Sequence, residues 1–383
     1  MGDYKIPDLL KQFITDDSIV VRSPGRINLI GEHTDYNEGF VLPAAIDKAV
    51  YVAVEKNPGT RLNLQSVDFN ESIEVEIRDI KPVPGHWSTY IFGVVDQFIR
   101  KGQFVTGFKL SIYGDVPLGA GLSSSAAVEC AVAFALNELL QSGFSRKELA
   151  LMAQAAEHQY AGVKCGIMDQ FASLFGKKDH VIRLDCRSLE YEYFPLELGE
   201  YVIVLFDTMV KHSLGSSEYN IRRSQCEEGV MLIGQNYPSV HSLRDATMEM
   251  VNECIGEFET AHRRCKYVVE EIDRLQKGCE DLQAGDLIAF GKKMFATHDG
   301  LSKEYEVSCK ELDYLVDNVR NNPAVIGARM MGGGFGGCTI NIISKDMVEE
   351  LVAKLSEDYK KDMGKELKHY LVNIEDGTSV IGR

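Results

Sequence analysis

The chain has 383 residues, of which 45% are hydrophobic and 26% are charged. That much apolar material can form a core, which excludes a largely disordered chain, and the length predicts two domains or one large one. The net charge of −16 at pH 7 argues against a nucleic-acid partner, because a polyphosphate is attracted to a basic surface.

Further features of the composition concern the compartment. There is no run of about 18 apolar residues, so neither a transmembrane helix nor a membrane partner is predicted. The first ten residues lack a basic segment followed by an apolar one, which argues against a secretory signal. The cysteines are odd in number, scattered and without a CxxC pair. This is typical of free thiols in a cytoplasmic protein, not of a disulfide framework or a zinc site.

The first half of the chain is predicted to mix short strands and helices. In chain order the elements are a helix at 6–13, strands at 18–21, 49–56, 61–66 and 72–77, a helix at 87–101, a strand at 106–116, helices at 123–141, 146–162 and 168–175, and a strand at 180–185. Residues 22–37 are predicted to form a polar loop.

The second half is predicted to be mainly helical between two groups of strands. Its elements are a strand at 201–207, helices at 217–235, 248–276, 281–298 and 303–321, strands at 324–331 and 338–344, a helix at 347–361 and a strand at 367–374. Strands, then helices, then strands, without a repeating βαβ unit, predict an α+β fold with mixed or antiparallel sheets. The predicted domains are 1–195 and 196–383.

A glycine- and serine-rich segment, PLGAGLSSSAA at 117–127, follows a strand and leads directly into a helix. Glycines permit a tight turn, and the helix N-terminus adds free amide donors with partial positive charge. Three consecutive serines exceed what capping requires, which favours an anion site able to bind a phosphate. A serine-capped helix after a simple turn is the alternative. The Walker A sequence and the HRD and DFG motifs of protein kinases are absent.

A second candidate segment, at 22–37, contains Arg26, Glu32, His33 and Asp35. Closely spaced carboxylates and an imidazole suit a ligand with several hydroxyl groups, such as a sugar. A metal site is less favoured because His-x-Asp supplies too few ligands. A solvated charged loop remains possible on these residues alone.

The segment GGGFGG at 332–337 matches the dinucleotide pattern GxGxxG, but it lies between two predicted strands and does not open a helix. A glycine loop that approaches a ligand closely, or a simple tight turn, is the better interpretation. Glu157 and Asp169 form another spaced carboxylate pair, which on its own would be expected to be solvated.

Taken together, these motifs resemble those of the GHMP small-molecule kinases and, within them, the galactokinase family. GRINLIGEHTDYNEGFVLPAAI at 25–46 is similar to the galactokinase signature, and 117–127 is similar to the ATP loop of the superfamily. The segments at 156–170, 212–228 and 331–340 resemble the remaining blocks, in family order. The resemblance implies two α+β domains with the active site in the cleft between them. It also implies ATP-dependent phosphorylation of the anomeric hydroxyl of α-D-galactose, giving galactose 1-phosphate and ADP.

The resemblance further implies roles for individual residues. Asp169 is the implied catalytic carboxylate, and Arg26 is implied to stabilise the transferring phosphoryl group. The implied sugar-binding residues are Glu32, His33, Thr34, Asp35 and Tyr219. The implied ATP contacts are Ser66, Gly119, Ala120, Gly121, Leu122, Ser123, Ser124 and Ser125. Mg²⁺ would be held by Ser125 and Glu157, and no obligate protein partner is implied.

The chain departs from the family pattern at two positions. Glu38 stands where the family often has Gly, and Met331 stands where a Ser or Thr usually precedes the glycine loop. Two alternatives are a kinase for a related sugar, N-acetylgalactosamine or arabinose, and a sensor that binds galactose and ATP without turnover. The intact serine loop together with Asp169 and Arg26 argues against the sensor.

Overall fold

The computed structural model describes residues 4–210, 215–256 and 259–383. Three β-sheets, with helices packed against them, organise these ranges. Each helix in them is either too short or too polar to cross a bilayer.

The first sheet has six strands and is mixed. In spatial order the strands are β13 (Ser379–Gly382), β1 (Ile19–Asn28), β3 (Pro43–Lys56), β6 (Phe108–Gly114), β4 (Arg61–Ser66) and β5 (Glu71–Glu76). Neighbours are antiparallel except β4 and β6, which run parallel. Because β13 pairs with β1, this sheet contains residues from both predicted domains, and the boundary between 195 and 196 stays a prediction.

Among the described residues, the α-helices of the first half of the chain are α1 (Asp8–Lys11), α2 (Ser88–Arg100), α3 (Ser124–Leu140), α4 (Arg146–Ala156) and α5 (Met168–Phe175). Helix α3 packs on β1 and β3. Ala127, Ala131 and Ala135 recur at every fourth position of α3 and are fully buried, so small side chains allow a close approach. This packing fixes the glycine-rich turn that precedes the helix.

The other two sheets are antiparallel throughout. One contains β2 (Phe40–Val41), β7 (His180–Asp185) and β8 (Tyr191–Pro195), and the other, in spatial order, β10 (Val325–Met330), β11 (Cys338–Ser344), β9 (Tyr201–Asp207) and β12 (Lys368–Val372). The later helices are α6 (Gly215–Gly234), α7 (Met248–Cys254), α8 (Thr260–Gln283), α9 (Leu287–Lys303), α10 (Lys310–Arg320) and α11 (Val348–Met363). The predicted α+β class with mixed and antiparallel sheets is confirmed.

The predicted polar loop at 22–37 starts too early. Strand β1 continues to Asn28, and its polar residues are buried. Arg22 Nη2 donates to the Ile46 carbonyl at 3.0 Å, and Ser23 Oγ lies 2.9 Å from Thr378 Oγ1. Because these polar groups form hydrogen bonds inside the protein, they can be buried without a large cost. The polar composition of this segment therefore predicts a loop where the structure has a buried strand.

The single helix predicted at 248–276 is also wrong, because the structure has two helices there, α7 and α8. Thr247 Oγ1 accepts from Met250 N at 3.3 Å and caps α7. Val251 on α7 and Cys265 on α8 pack into the same apolar cluster. A continuous apolar pattern in the sequence therefore spans two separate helices.

Candidate active site

A cavity of about 350 Å³ brings together segments that are far apart in the sequence. Strand β1 and the loop after it, the glycine turn before α3, the residues around Asp169, helix α6 and the glycine loop at 332–334 all contribute to its wall. The predicted site residues that line it are Arg26, Glu32, His33, Asp35, Gly119, Gly121, Leu122, Ser123, Ser124, Ser125, Glu157, Asp169 and Tyr219.

The glycine turn exposes its backbone to this cavity. Gly119 and Gly121 have φ of 77° and 75°, a region that side chains disfavour. Ala120 and Leu122 are buried and anchor the turn to the core. Because α3 begins directly afterwards, at Ser124, the free amide groups of its first turn lie at the same end of the cavity.

The two glycine-rich segments of the sequence lie against each other. A Cβ atom on Gly121 would lie 3.3 Å from the Met331 carbonyl oxygen, and one on Gly332 would lie 3.5 Å from the Gly121 carbonyl oxygen. The loop at 332–337 thus forms the wall facing the turn at 119–121. Gly332, Gly333 and Gly334 line the cavity, and the interpretation of GGGFGG as a loop that approaches a ligand closely stays a prediction.

Asp169 is held by two partners. Arg26 donates from Nε to Oδ1 at 2.7 Å and from Nη2 to Oδ2 at 2.9 Å, and the Ser123 hydroxyl also donates to Oδ2. Arg26 Nη1 donates to the Gly121 carbonyl at 2.5 Å, which ties the pair to the glycine turn. The arginine side chain is 5% exposed and the aspartate 24% exposed, so the carboxylate is the more accessible member.

Glu32 is fixed by a buried cation and a backbone amide. Its Oε1 accepts from Gly332 N at 2.7 Å and from Arg329 Nη2 at 3.1 Å. Arg329 is fully buried and also donates from Nε to the Leu29 carbonyl at 2.8 Å. These contacts hold the carboxylate in one orientation at the cavity wall.

Asp35 fits into the site because of a glycine opposite it. A Cβ atom on Gly166 would lie 1.9 Å from Asp35 Oδ2, so no larger residue fits without movement. The Asp35 Oδ1 atom accepts from Tyr36 N at 2.9 Å. Burial, with the nearby charge of Asp169, raises the pKa of Asp35 to about 7.

Aromatic side chains form the wall beside Asp35. The rings of His33 and Tyr219 have centroids 5.3 Å apart, and His33 Nδ1 lies 2.8 Å from the Tyr36 hydroxyl. Burial lowers the pKa of His33 to about 4, so its imidazole is neutral near pH 7. Tyr219 belongs to the segment at 212–228, of which 212–214 lie outside the described residues.

Glu157 contacts the last of the three consecutive serines at 123–125. Helix α4 ends at Ala156, and Glu157 opens a π-helical turn, Glu157–Ala161, in place of the predicted helix end. Ser125 Oγ donates to its Oε1 at 3.0 Å, and Gln170 Nε2 donates to its Oε2 at 2.7 Å. Burial raises the pKa of Glu157. Within the described ranges, no three His, Cys, Asp or Glu side chains are grouped so as to bind a metal by themselves.

Three family models match separate parts of the chain. The galactokinase galactose-binding signature matches residues 10–56, the GHMP kinases N-terminal domain matches 89–177, and the GHMP kinases C-terminal model matches 279–361. A galactokinase of Thermotoga petrophila is 43% identical over 361 residues, which cover 94% of this chain and 99% of the relative. A galactokinase of Clostridium acetobutylicum is 39% identical over 387 residues, with coverage of 100% and 98%. The chain belongs to the galactokinase family.

Solved structures agree with this assignment. The crystal structure of Lactococcus lactis galactokinase complexed with galactose is 35% identical, with a TM-score of 0.92 and coverage of 96% of both chains. The mevalonate kinase of Methanococcus jannaschii is 18% identical with a TM-score of 0.66, covers 94% of this chain and 99% of its own, and shows the fold alone. The predicted GHMP kinase fold and galactokinase resemblance are confirmed. The chain is a sugar kinase of the galactokinase type, and ATP is a substrate of such a kinase.

Three residues predicted from the galactokinase pattern lie outside the main cavity. Thr34 is fully buried, and its hydroxyl donates to the Gly31 and Phe40 carbonyls at 2.8 and 2.5 Å, so it shapes the turn. Ala120 is buried beneath the glycine turn. Ser66 lines a second cavity.

The second cavity has a volume of about 400 Å³ and shares Ser124 and Ser125 with the first. Its aromatic and apolar lining includes Phe69, Trp87, Tyr90, Leu118 and Val128. These residues come from separate elements, and no spacing in the sequence marked them as a group. In the main cavity, Cys165, Gly166 and Met168 likewise have no distinctive pattern of their own, although they lie in the segment at 156–170 that resembles the galactokinase pattern.

Both departures from the galactokinase pattern are accommodated by the structure. Glu38 has a φ of 58°, a left-handed conformation that suits the usual glycine, and its carboxylate accepts from Arg187 Nε at 2.6 Å. Met331 is buried in the apolar core, and its backbone continues the contact between the two glycine segments.

Proposed function

We propose that this chain transfers the γ-phosphoryl group of ATP to the anomeric hydroxyl of α-D-galactose, forming galactose 1-phosphate and ADP. The observation that supports this most directly is the shared cavity. The segment that resembles the sugar signature and the turn that resembles the ATP loop line the same space, and Arg26 joins Asp169 to that turn.

The sugar is proposed to bind between the loop after β1 and helix α6. Carboxylates accept hydrogen bonds from neighbouring hydroxyl groups, and here Glu32 and Asp35 supply them. His33 is neutral near pH 7, so its ring nitrogens exchange hydrogen bonds without adding charge. Tyr219 packs beside the imidazole and limits the width of the site.

The nucleotide is proposed to span both cavities. Backbone amides of 119–125 and the N-terminus of α3 face the triphosphate, in the manner of other anion sites at helix ends. The adjoining second cavity, with Ser66 at its edge, offers apolar and aromatic surfaces of the kind that bind a purine and its ribose.

Mg²⁺ fits the pair formed by Ser125 and Glu157. Both supply oxygen ligands, Ser125 Oγ and Glu157 Oε1 are 3.0 Å apart, and both line the cavity beside the phosphate-binding turn. One or two protein ligands suffice, because Mg²⁺ retains waters and binds phosphate oxygens. When bound, the ion neutralises negative charge on the β- and γ-phosphates.

Asp169 and Arg26 are proposed to act at the reacting atoms. Asp169 accepts the hydrogen bond of the anomeric hydroxyl and takes its proton as the new P–O bond forms and the bond to the ADP oxygen breaks. Arg26 keeps the carboxylate oriented through two hydrogen bonds and adds positive charge beside the transferred group.

The cytoplasm is proposed as the compartment. All nine cysteines are free thiols, which suits a reducing environment, and ATP is available there. Fractionation of the source cells with an antibody to the chain would test this assignment.

A coupled assay of ADP release tests the proposed reaction. With ATP and Mg²⁺, the purified chain is offered D-galactose, N-acetylgalactosamine, L-arabinose and D-glucose in parallel. We expect the highest kcat/KM with D-galactose and identification of galactose 1-phosphate as the product. Preference for another sugar would reassign the substrate. Calorimetric binding of galactose without any ADP release would instead indicate a sensor.

A further inference from the structure

Glu38 closes the turn that contains Asp35. Residues Asp35–Asn37 form a single 3₁₀ turn, and Glu38 N donates to the Asp35 carbonyl at 3.2 Å. Gly39 N then donates to the Thr34 carbonyl at 2.9 Å. A displacement of Glu38 therefore displaces the backbone of Asp35.

Arg187 connects Glu38 to a different part of the chain. Its Nε donates to Glu38 Oε2 at 2.6 Å, while its Nη2 donates to Asp245 Oδ1 at 2.7 Å and to Ser242 Oγ at 2.8 Å. Arg187 lies in the turn between β7 and β8, and Asp245 lies ahead of α7. One guanidinium thus joins the turn after β1, in the first predicted domain, to Ser242 and Asp245 in the second.

A second arginine holds the backbone of the same residue. Arg244 Nη1 donates to the Glu38 carbonyl at 3.2 Å and to Asp185 Oδ1 at 2.5 Å, and its guanidinium lies 4.1 Å from the centre of the Phe40 ring. We name Glu38, Asp185, Arg187, Arg244 and Asp245 the Glu38 network. The charged groups of this network do not line the main cavity.

The conformation of Glu38 gives the network a role in positioning. A left-handed φ is disfavoured for glutamate relative to glycine, so the surrounding contacts must stabilise this turn. The ion pair between Arg187 and the Glu38 carboxylate is one such contact, and a glycine at position 38 could not form it.

We propose that Arg187, acting through Glu38, is a positioning residue for sugar binding, because it fixes the turn that presents Asp35 to the cavity. This inference rests on the proposed binding of galactose by the segment at 32–35. Its consequence is that loss of Arg187 weakens the binding of galactose and leaves ATP binding unchanged.

Steady-state kinetics of Arg187→Gln and Glu38→Gln provide the test, with galactose and ATP varied separately. We expect the KM for galactose to rise about three- to fivefold in each variant, as suits a partly exposed pair. The KM for ATP and kcat should stay within about twofold of the wild type. The double variant should show little further change, because both substitutions remove the same interaction. Arg187→Lys should recover part of the affinity.

Arg183→Gln is the matched control. Arg183 lies on β7, and its Nη2 donates to Glu192 Oε2 at 2.8 Å on the neighbouring strand. Its side chain is 36% exposed, close to the 40% of Arg187. Among the described residues it forms no hydrogen bond or ion pair with the turn at 34–39, so its loss should leave the galactose KM unchanged.

Salt distinguishes positioning by charge from a general loosening of the fold. Since both partners are partly exposed, raising the KCl concentration from about 0.05 M to about 0.5 M should screen the pair. We expect this to raise the galactose KM of the wild type and to leave that of Arg187→Gln nearly constant.

Three outcomes would overturn the inference: an unchanged galactose KM in Arg187→Gln, an equal rise in the KM for ATP, or the same effect in Arg183→Gln. If Arg187→Gln does not fold, Glu38→Gln tests the same ion pair, because it removes the charge and keeps a side chain on the residue with the left-handed conformation. An unchanged galactose KM in Glu38→Gln would then overturn the inference. Failure of the wild type to phosphorylate galactose would instead overturn the proposed function.

Discussion

Arg26 binds both carboxylate oxygens of Asp169, with Nε to Oδ1 at 2.7 Å and Nη2 to Oδ2 at 2.9 Å. A bidentate pair of this kind fixes the plane of the carboxylate as well as its position. The same guanidinium donates to the Gly121 carbonyl at 2.5 Å. One side chain therefore sets the proposed base and the proposed phosphate-binding turn relative to each other.

The first prediction concerns Asp169→Asn. The amide cannot take the proton of the anomeric hydroxyl, so we expect kcat to fall about 100- to 10,000-fold. The substitution preserves size, and galactose is held mainly by other residues, so its dissociation constant should change by less than about threefold. Single-turnover kinetics measure the first effect, and calorimetric titration measures the second.

Asp286→Asn serves as the matched control for that substitution. Asp286 caps α9 by accepting from Ala289 N at 2.8 Å, a role that asparagine fills equally well. Its kcat should equal that of the wild type. Turnover by Asp169→Asn at a rate near that of the wild type would show that the proposed base is wrong.

A part of this site can be predicted from the sequence when its residues lie close together along the chain. Residues 119–125 could be recognised as an anion-binding turn because glycines, serines and a helix start are contiguous. Asp35 could be recognised as a ligand residue because neighbouring polar groups accompany it. Glu157 and Asp169 gained meaning only from the family resemblance, since a lone carboxylate has no local pattern.

The features that escaped prediction depend on contacts between distant segments. Gly166 leaves the space that the Asp35 carboxylate occupies, and Arg329 donates a hydrogen bond to the Glu32 carboxylate. The second cavity is assembled from side chains of several elements, none of which has a distinctive spacing. The sequence predicts too short a strand β1 because the carbonyl groups that accept hydrogen bonds from Arg22 are remote in sequence.

The second prediction contrasts Glu32→Gln with Asp35→Asn. Both should weaken galactose binding by about 1 to 3 kcal/mol, the cost of a lost charge-assisted hydrogen bond. Only Glu32→Gln should also lower the Tm of the protein without sugar, because it leaves the buried cation of Arg329 without its anionic partner. Calorimetry and thermal unfolding of both variants test this. An equal loss of Tm in the two variants would contradict the role assigned to Arg329.

The third prediction is a pH dependence of galactose binding. With a pKa of about 7, Asp35 is protonated in part of the protein molecules at neutral pH. Its ionised form is the better acceptor for sugar hydroxyl groups, so galactose affinity should rise as the pH increases through about 7. His33, with a pKa of about 4, stays neutral over this range and does not contribute. Calorimetric titrations between about pH 6 and pH 8.5 test this, and the dependence should vanish in Asp35→Asn.

Ionisation of Asp35, which should strengthen galactose binding as the pH rises, should lower the free energy of unfolding of the protein without sugar. An unfolded Asp35 loses its proton near about pH 4, whereas the folded one loses it near 7. Between those values the folded state binds more protons, so this residue makes the free energy of unfolding fall as the pH rises. Asp35→Asn should therefore gain stability over the wild type progressively from about pH 4 to pH 7. A constant difference would show that Asp35 titrates normally.

The fourth prediction concerns Gln170, which orients the proposed metal ligand Glu157. Its Nε2 donates to Glu157 Oε2 at 2.7 Å and lies 3.3 Å from Glu129 Oε2. Gln170→Leu removes this donor, and partners behind a metal ligand typically affect metal affinity about 10- to 100-fold. We therefore expect at least about a tenfold loss of Mg²⁺ affinity, measured by calorimetry of Mg²⁺ binding to the complex with ADP. Galactose affinity should not change.

Glu129→Gln separates the orienting amide from the charge behind it. Glu129 is fully buried, and burial raises its pKa well above the usual range, which favours the neutral carboxyl. Glutamine reproduces the neutral carboxyl in size and still accepts from Gln170. Mg²⁺ affinity should therefore remain close to that of the wild type in Glu129→Gln and fall in Gln170→Leu. Equal losses in both variants would mean that the second carboxylate acts as an anion and that the amide is not the orienting group.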